Sequence, residues 1–393
     1  RCNRPVSKNK PTNSTMKKLI YYIILNIIIN SYSVFCQFPE FRYSVIGSTD
    51  ELSGQTSLVD VDKDGDLDWI VATADTIWWF EYQGADHWIK HILGLAPATE
   101  TGGIALDVDG DGFVDQVSGG TWYKNPGDPG KMWTKFSSKA IPAHECISAD
   151  INNDGKPDVV MMNDTKGIYW YDFSAAPTKA WKGTRIGDGV RSGIGPFGCG
   201  DIDEDGDIDI VRTNIWFENQ NNGSRWIPHL SLKMVVRDLT FPNSSKAWVI
   251  DMDKDGDADI VQAESYVPDS KVIWSAKMDK RGNTWYVNNV DLSTQQEIQS
   301  LAVADFDNDG DPDIFVGGST RTKDFHKRSF IYENLDGMGK QWKKHEILVD
   351  QESFDARAGD VDGDGDIDIV GKPWHGANNY YLRNMLTELK QNK

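Results

Sequence analysis

The sequence predicts an all-β fold, a single seven-bladed β-propeller, on three observations. A nine-residue motif, D-x-[DN]-x-D-G-x-x-D, begins at Asp60, Asp107, Asp150, Asp201, Asp251, Asp305 and Asp360. Successive copies lie 43 to 55 residues apart, which suits one four-stranded blade per copy and is too long for helical-hairpin or leucine-rich repeats. Short apolar runs flank the copies, as Leu301 to Ala304 does before Asp305 and Ile369-Val370 after Asp368. Each unit therefore reads as strand, acidic turn, strand.

The remaining strands follow in order. The third strand of most blades is aromatic and ends near Asn: Trp78-Trp79-Phe80, Trp122 to Asn125, Tyr169-Trp170-Tyr171, Trp216 to Asn219, Tyr332 to Asn334 and Tyr380 to Asn384. A further Trp opens the fourth strand at Trp88, Trp133, Trp181, Trp226, Trp285 and Trp342, with His three residues later at His91, His229 and His345. These rings are expected to fill the space between sheets. Blade seven ends without a fourth strand, while Phe41 to Ile46 looks like an unattached copy of one. An N-terminal strand is therefore expected to complete the last blade and close the ring, removing exposed sheet edges.

Each motif offers hard oxygen ligands around a glycine turn, the loop half of an EF-hand without flanking helices, which points to calcium. The ligand sets are Asp60, Asp62, Asp64 and Asp68; Asp107, Asp109, Asp111 and Asp115; Asp150, Asn152, Asp154 and Asp158; and Asp201, Asp203, Asp205 and Asp209. Blades five to seven supply Asp251, Asp253, Asp255 and Asp259; Asp305, Asp307, Asp309 and Asp313; and Asp360, Asp362, Asp364 and Asp368. Up to seven Ca2+ ions are expected, mainly as staples of the turns, and the central channel is a place for one additional metal. More than half of the 60 acidic residues lie in these motifs, so the net charge of −19 belongs to the loops and the rest is weakly basic. That surface can accept an anionic ligand. No basic cluster suggests nucleic acid.

Residues 16–36 read as a secretory signal peptide, with Met16-Lys17-Lys18, an apolar stretch from Leu19 to Ile29, and small residues up to Cys36. Residues 1–15 read as upstream sequence and 37–393 as the propeller. The apolar stretch is short and interrupted by Asn26, so no membrane span is expected. Lipidation at Cys36 is the alternative, disfavoured by Phe35. The chain is expected to be secreted, periplasmic or at a bacterial cell surface, and monomeric. Cys146 and Cys199 sit on innermost strands of adjacent blades, where two buried free thiols are favoured over a bridge.

If the calcium turns occupy one rim, the loops leading into each first strand and those joining second to third strands occupy the other, around the channel mouth. Groups there that break the repeat are His144, Glu145, Arg191, Glu264, Tyr266, Glu297, Gln299, Arg321, Asp355, Arg357, Lys372, Trp374 and His375. His144 leads, because it stands outside the repeated Trp-x-x-His place. His87 and His326 read as surface residues. No G-x-S-x-G, P-loop, H-E-x-x-H or C-x-x-C signature occurs. A β-elimination beside a uronate carboxylate fits the set: a cation to neutralise the carboxylate, a base and an acid. Arg191, Arg357, Lys372 or Arg321 would neutralise, His144 would be the base, and Tyr266 or His375 the acid. Glu145, Glu264, Arg321, Lys372 and Trp374 would contact substrate, Trp374 by stacking on a sugar ring.

The motifs and their period resemble the FG-GAP or VCBS repeat family of calcium-binding seven-bladed propellers. Ala143-His144-Glu145 ahead of a D-x-N-x-D-G loop, and Asp368 to Trp374 after the last one, are similar to propellers of aldos-2-ulose dehydratase and of polysaccharide lyases that cut rhamnose-glucuronate linkages. Those relatives commonly place a His before the last calcium loop, where this chain has Phe354-Asp355. The resemblance therefore implies a one-histidine elimination on an acidic polysaccharide rather than a two-histidine zinc mechanism. A non-catalytic propeller binding glycans or proteins at the cell surface, and a sugar dehydratase, are the alternatives.

Overall fold

The computed structural model describes residues 38–50, 54–97, 101–232, 244–319 and 327–391. Seven small sheets carry the chain, antiparallel and in sequence order except where the N-terminal strand joins blade seven and a short piece of blade four pairs parallel with blade five. Blade one is Gln55–Val59, Asp68–Ala72, Thr76–Tyr82 and Trp88–Leu95, and the other blades repeat this order. The acidic motif always joins the first strand to the second. One short helix, Leu386–Gln391, follows the last strand.

Closure occurs as the sequence predicts. Phe41–Ser48 pairs antiparallel with Asn378–Asn384, from Phe41 opposite Asn384 to Ser48 opposite Asn378. The outer edge of blade seven is thereby covered by the start of the propeller, and the ends of the ring are held by a hydrogen-bond ladder.

The repeated tryptophans explain how blades grip one another. The Gly223 carbonyl accepts the Trp170 indole of blade three at 2.8 Å and the Trp226 indole of its own blade at 3.0 Å. Gly282 takes Trp216 and Trp285, and Gly339 takes Trp274 and Trp342, in the same way. Pro177 serves Trp122 and Trp181. Each of these eight indoles buries a large apolar surface while its one donor is satisfied, which suits Trp to a packed sheet interface. Asn closes the same junction, since Asn219 Nδ2 donates to the Ile151 carbonyl of blade three at 2.8 Å and Asn384 Nδ2 to that of Phe306 in blade six. The three repeated histidines pair instead with Glu on the neighbouring strand: His91 with Glu81 and His229 with Glu218 at 2.7 Å, and His345 with Glu333 at 2.5 Å.

Blade four departs from the repeat. Its innermost segment is split into Pro196–Phe197 and Cys199–Gly200, and the first piece runs parallel to Ser245–Ile250 of blade five. Blades three and five thus approach each other across a shortened blade four. Cys146 and Cys199 are buried free thiols.

Candidate functional site

Two rims carry two kinds of chemistry. On the loop rim, carboxylate oxygens converge within 4.8 Å of one another in Asp60, Asp62 and Asp68, in Asp107, Asp109 and Asp115, and in Asp201, Asp203 and Asp209. The same holds for Asp251, Asp253 and Asp255 and for Asp305, Asp307 and Asp313. Backbone geometry shapes each cup. Asp60 accepts the Lys63 amide at 2.7 Å and the Gly65 amide at 3.3 Å, and Gly65 turns at φ 101°, where a side chain would be strained. The last Asp is held twice, as Asp68 is by the Val61 and Tyr82 amides.

These residues fit a hard divalent cation. Oδ1 of Asp62, Asp109, Asp203, Asp253 and Asp362, at one position in five loops, is buried and receives no hydrogen bond. Buried polar atoms are ordinarily satisfied, and a cation is the partner that five equivalent carboxylate orphans would fit. Burial, joined by neighbouring carboxylates, pushes Asp203 up to about 6 and Asp68, Asp209, Asp313 and Asp368 up to about 8. A cation in the cup removes that penalty.

The opposite mouth gathers four of the thirteen residues singled out in the sequence, His144, Glu145, Asp355 and Arg357. His144, Glu145, Ser192, Lys246, Asp355 and Arg357 line one cavity with Phe354. It adjoins a channel cavity of about 180 Å³ lined by inner strands of all seven blades, and Cys146 and Arg357 border both. Glu145 Oε1 takes the Lys246 ammonium at 2.9 Å and lies 3.6 Å from His144 Nδ1. Burial opposes ionisation of Glu145, but Lys246 and His144 outweigh it and hold the carboxyl well below the usual carboxylate range. Burial likewise opposes the Lys246 charge, and Glu145 and Asp355 more than restore it. Arg357 pairs with Asp355 and Arg191 with Asp164, each at 3.3 Å. Tyr266 is buried, hydrogen-bonds Ser192, and is pushed up by burial, so its phenol keeps its proton at neutral pH.

A second cluster lies between blades six and seven. Buried Glu352 accepts the Ser319 hydroxyl at 2.5 Å and the His375 amide at 2.8 Å, with His375 Nδ1 at 3.4 Å and Lys327 Nζ at 3.4 Å. Burial alone would raise Glu352; these partners hold it below the usual range. Lys372 stands between the clusters, 1% exposed, its Nζ without a hydrogen bond and 5.0 Å and 5.7 Å from the Phe354 and Trp374 ring centres. Burial, against the pull of Asp355 and Glu352, lowers it to about 7. Trp374 is half-buried and packs on Phe354 with ring centres 4.6 Å apart and the planes tilted by 39°.

The remaining candidates do not reach the mouth cavity. Glu264 is buried and braces its own loop through the Lys271 amide at 3.0 Å. Glu297 and Gln299 are buried at the start of blade six, and His87 is exposed. Arg321 and His326 lie outside the described residues, as do the leader and Cys36. Sequence reasoning missed Lys246, Ser192 and Glu352. The signal for Lys246 was register: Glu145, Lys246 and Asp355 each stand five residues before their motifs at Asp150, Asp251 and Asp360.

A ring of seven four-stranded blades, each with a cation-type acidic loop between its first two strands, defines a seven-bladed β-propeller. The FG-GAP-like repeat model matches residues 60–118, 150–212 and 251–316, three stretches that each begin at the first Asp of a motif. The propeller thus contains FG-GAP-like repeats. Among solved structures, an Agrocybe aegerita lectin described as recognising non-reducing terminal N-acetylglucosamine is 15% identical with a TM-score of 0.51, over 78% of this chain and 81% of the lectin. BBS1N, solved in complex with ARL6DN, is 10% identical with a TM-score of 0.51, over 88% of this chain and 96% of its own. An ancestral GH74 enzyme is 11% identical with a TM-score of 0.50, over 86% of this chain and 51% of the enzyme. At these identities the likeness is one of fold. No curated protein matches the chain in sequence. Among the described residues no helix is long and apolar enough to cross a membrane.

Proposed function

We propose that this protein is a secreted, calcium-stabilised propeller that cleaves an acidic glycan by β-elimination at the channel mouth. The observation that carries the reading is the gathering of His144, Lys246, Arg357 and Asp355 around one cavity, with Tyr266 beside it through Ser192. A scaffold does not need a titratable cluster at one rim only. In the reaction, His144 takes the proton from the carbon next to the uronate carboxylate. The electron pair forms the carbon–carbon double bond as the glycosidic carbon–oxygen bond breaks, and the departing oxygen takes a proton from Tyr266. Arg357 and Arg191 balance the charge that grows on the carboxylate. A phenol that stays protonated suits the acid role, and Tyr266 is nearer this set than His375, which is engaged with Glu352.

Hydrolysis is less well supported. A glycosidase acid needs a carboxyl with a raised pKa, whereas Glu145 and Glu352 are both held low. The second reading is glycan binding without chemistry. It draws on the half-buried Trp374 ring and on a fold shared with a lectin and a GH74 enzyme. Calcium suits the loops because their donors are all hard oxygens in seven-fold repetition.

The test is ultraviolet absorbance of an unsaturated uronate product while calcium-loaded protein is incubated with a panel of uronate polysaccharides. A rise that disappears in His144→Ala supports the lyase. A flat trace across the panel from folded protein that still binds one of the glycans supports the binding module.

A further inference from the structure

The Glu145 carboxylate is built in from three blades. It leaves the start of blade three, its Oε1 takes the Lys246 ammonium of blade five at 2.9 Å, and its Oε2 rests against Gly195 ahead of blade four. A side chain at 195 would have to displace the carboxylate, because a Cβ there would stand 1.9 Å from Oε2. Between blades three and five the inner segment of blade four is broken into two short pieces, the first paired parallel with the strand that carries Lys246. The carboxylate so fixed faces His144 Nδ1 at 3.6 Å. That nitrogen is buried and has no hydrogen-bond partner, while the backbone of His144 is fastened by its amide to the Met162 carbonyl at 2.7 Å and by its carbonyl to the Thr101 hydroxyl at 2.8 Å.

We propose that Glu145 and Lys246 are positioning residues that hold the His144 imidazole in the tautomer with hydrogen on Nδ1, leaving Nε2 bare to accept a proton. This rests on the reading of His144 as the base. A neutral imidazole carries one ring hydrogen, and an ionised carboxylate beside Nδ1 favours it there, as the third member of a nucleophile–base–carboxylate set does. Lys246 secures the charge that does this, since without it burial would favour a neutral Glu145 carboxyl that exerts no such pull. Glu145 is thereby withdrawn from the substrate contacts that its place in the sequence suggests. The distance of 3.6 Å is longer than a hydrogen bond, and such contacts commonly tighten when substrate fills the site.

The experiment reads the ring nitrogens directly in calcium-loaded, full-length protein labelled with 15N-histidine, where nitrogen shifts and couplings distinguish the two tautomers. His144→Gln identifies the signal. The wild type is expected to carry hydrogen on Nδ1, Glu145→Gln and Lys246→Met to lose that preference, and Lys246→Arg to keep it. With an active substrate in hand, the first two variants are expected to lose at least about tenfold in kcat with KM little changed. Hydrogen on Nε2 in the wild type, or a tautomer unchanged by Glu145→Gln in a protein that folds, overturns the proposal. Should Glu145→Gln fail to fold, the contrast between Lys246→Met and Lys246→Arg decides it in the same way. A fixed Nδ1–H tautomer in a protein inactive on every uronate polymer upholds the arrangement and removes the lyase reading.

Discussion

Asn308 of the blade-six loop donates through Nδ2 to Asp366 Oδ1 of the blade-seven loop at 2.7 Å. The same link recurs where Asn153 donates to Asp207 at 2.6 Å and where Lys254 pairs with Asp311. Lys63 lies 3.9 Å above the Phe113 ring, and Lys277 ties Glu204 at 2.8 Å to Asp257 at 3.5 Å. In each loop the residue concerned is the fourth of the motif. It takes a left-handed φ, from 55° at Asn308 to 67° at Lys63, which turns its side chain toward the next blade. Gly110 and Gly363 occupy that place in blades two and seven. The acidic loops therefore form a linked series interrupted by two glycines.

Calcium removal is expected to unsettle linked loops together. Each ion held at a hundredfold excess over its Kd contributes about 2.7 kcal/mol to the folded state, so several sites emptied at once should lower the melting temperature by more than about 10 °C. Differential scanning calorimetry with and without a chelator measures this. Equal melting temperatures in both would show that the cups are not calcium sites.

Metal-free protein should respond to pH in a direction the loop carboxyls set. Their folded-state values, about 7 for Asp115, Asp158 and Asp259 and about 8 for Asp68, Asp209, Asp313 and Asp368, lie above the ordinary 3.8 because burial disfavours the charge. The folded state then holds more protons than the unfolded chain. The stability these groups contribute is fully present below about pH 4 and is lost as pH rises through 7 to 8. Chelated protein should melt higher at pH 5.5 than at pH 8, and saturating calcium should reverse the order, because protons compete with the ion. The same order in both conditions would contradict the assignment.

Lys372 gives a slope of the opposite sign. Its folded value of about 7 lies below the ordinary 10.5, again through burial. The cost of the buried ammonium is complete below pH 7 and fades as pH rises from 7 toward 10.5, so stability from this group increases across that window. Lys372→Met is expected to stabilise the protein by about 1–4 kcal/mol at pH 6, with the gain shrinking by pH 9. Urea titrations at the two pH values test it, and a loss of stability at pH 6 would mean the amine is held by a partner.

The ring was legible because closure depends on local, repeated residues. Seven motifs, a Trp at the start of six fourth strands and the orphan strand near Phe41 each announce their own place. The mouth was legible in part. His144, Arg357 and Asp355 stand out because they break the repeat, whereas Lys246 lies in Ser245–Ile250, which reads as an ordinary core strand. Its exposure to the channel follows from the broken segment of blade four, and nothing local to Lys246 encodes that break. Glu352 was hidden for a related reason. In sequence it is one more polar residue in a turn, and its burial is decided by Ser319, Lys327 and His375 from elsewhere in the chain.

Gly195 tests that long-range dependence. Its φ lies outside the left-handed region, so the requirement for glycine is one of space: a Cβ would meet Glu145 Oε2 at 1.9 Å. Gly195→Ala must therefore displace the carboxylate or the backbone, at a cost of about 1–3 kcal/mol. Removing the obstructing carboxylate should remove most of that cost, so Gly195→Ala should be nearly neutral when introduced into Glu145→Ala. A double-mutant cycle by urea denaturation isolates the coupling between the two sites. A coupling above about 1 kcal/mol places the carboxylate against Gly195 in solution. Strict additivity would mean that Glu145 points elsewhere, and the bridge from blade three to Lys246 would fall with it.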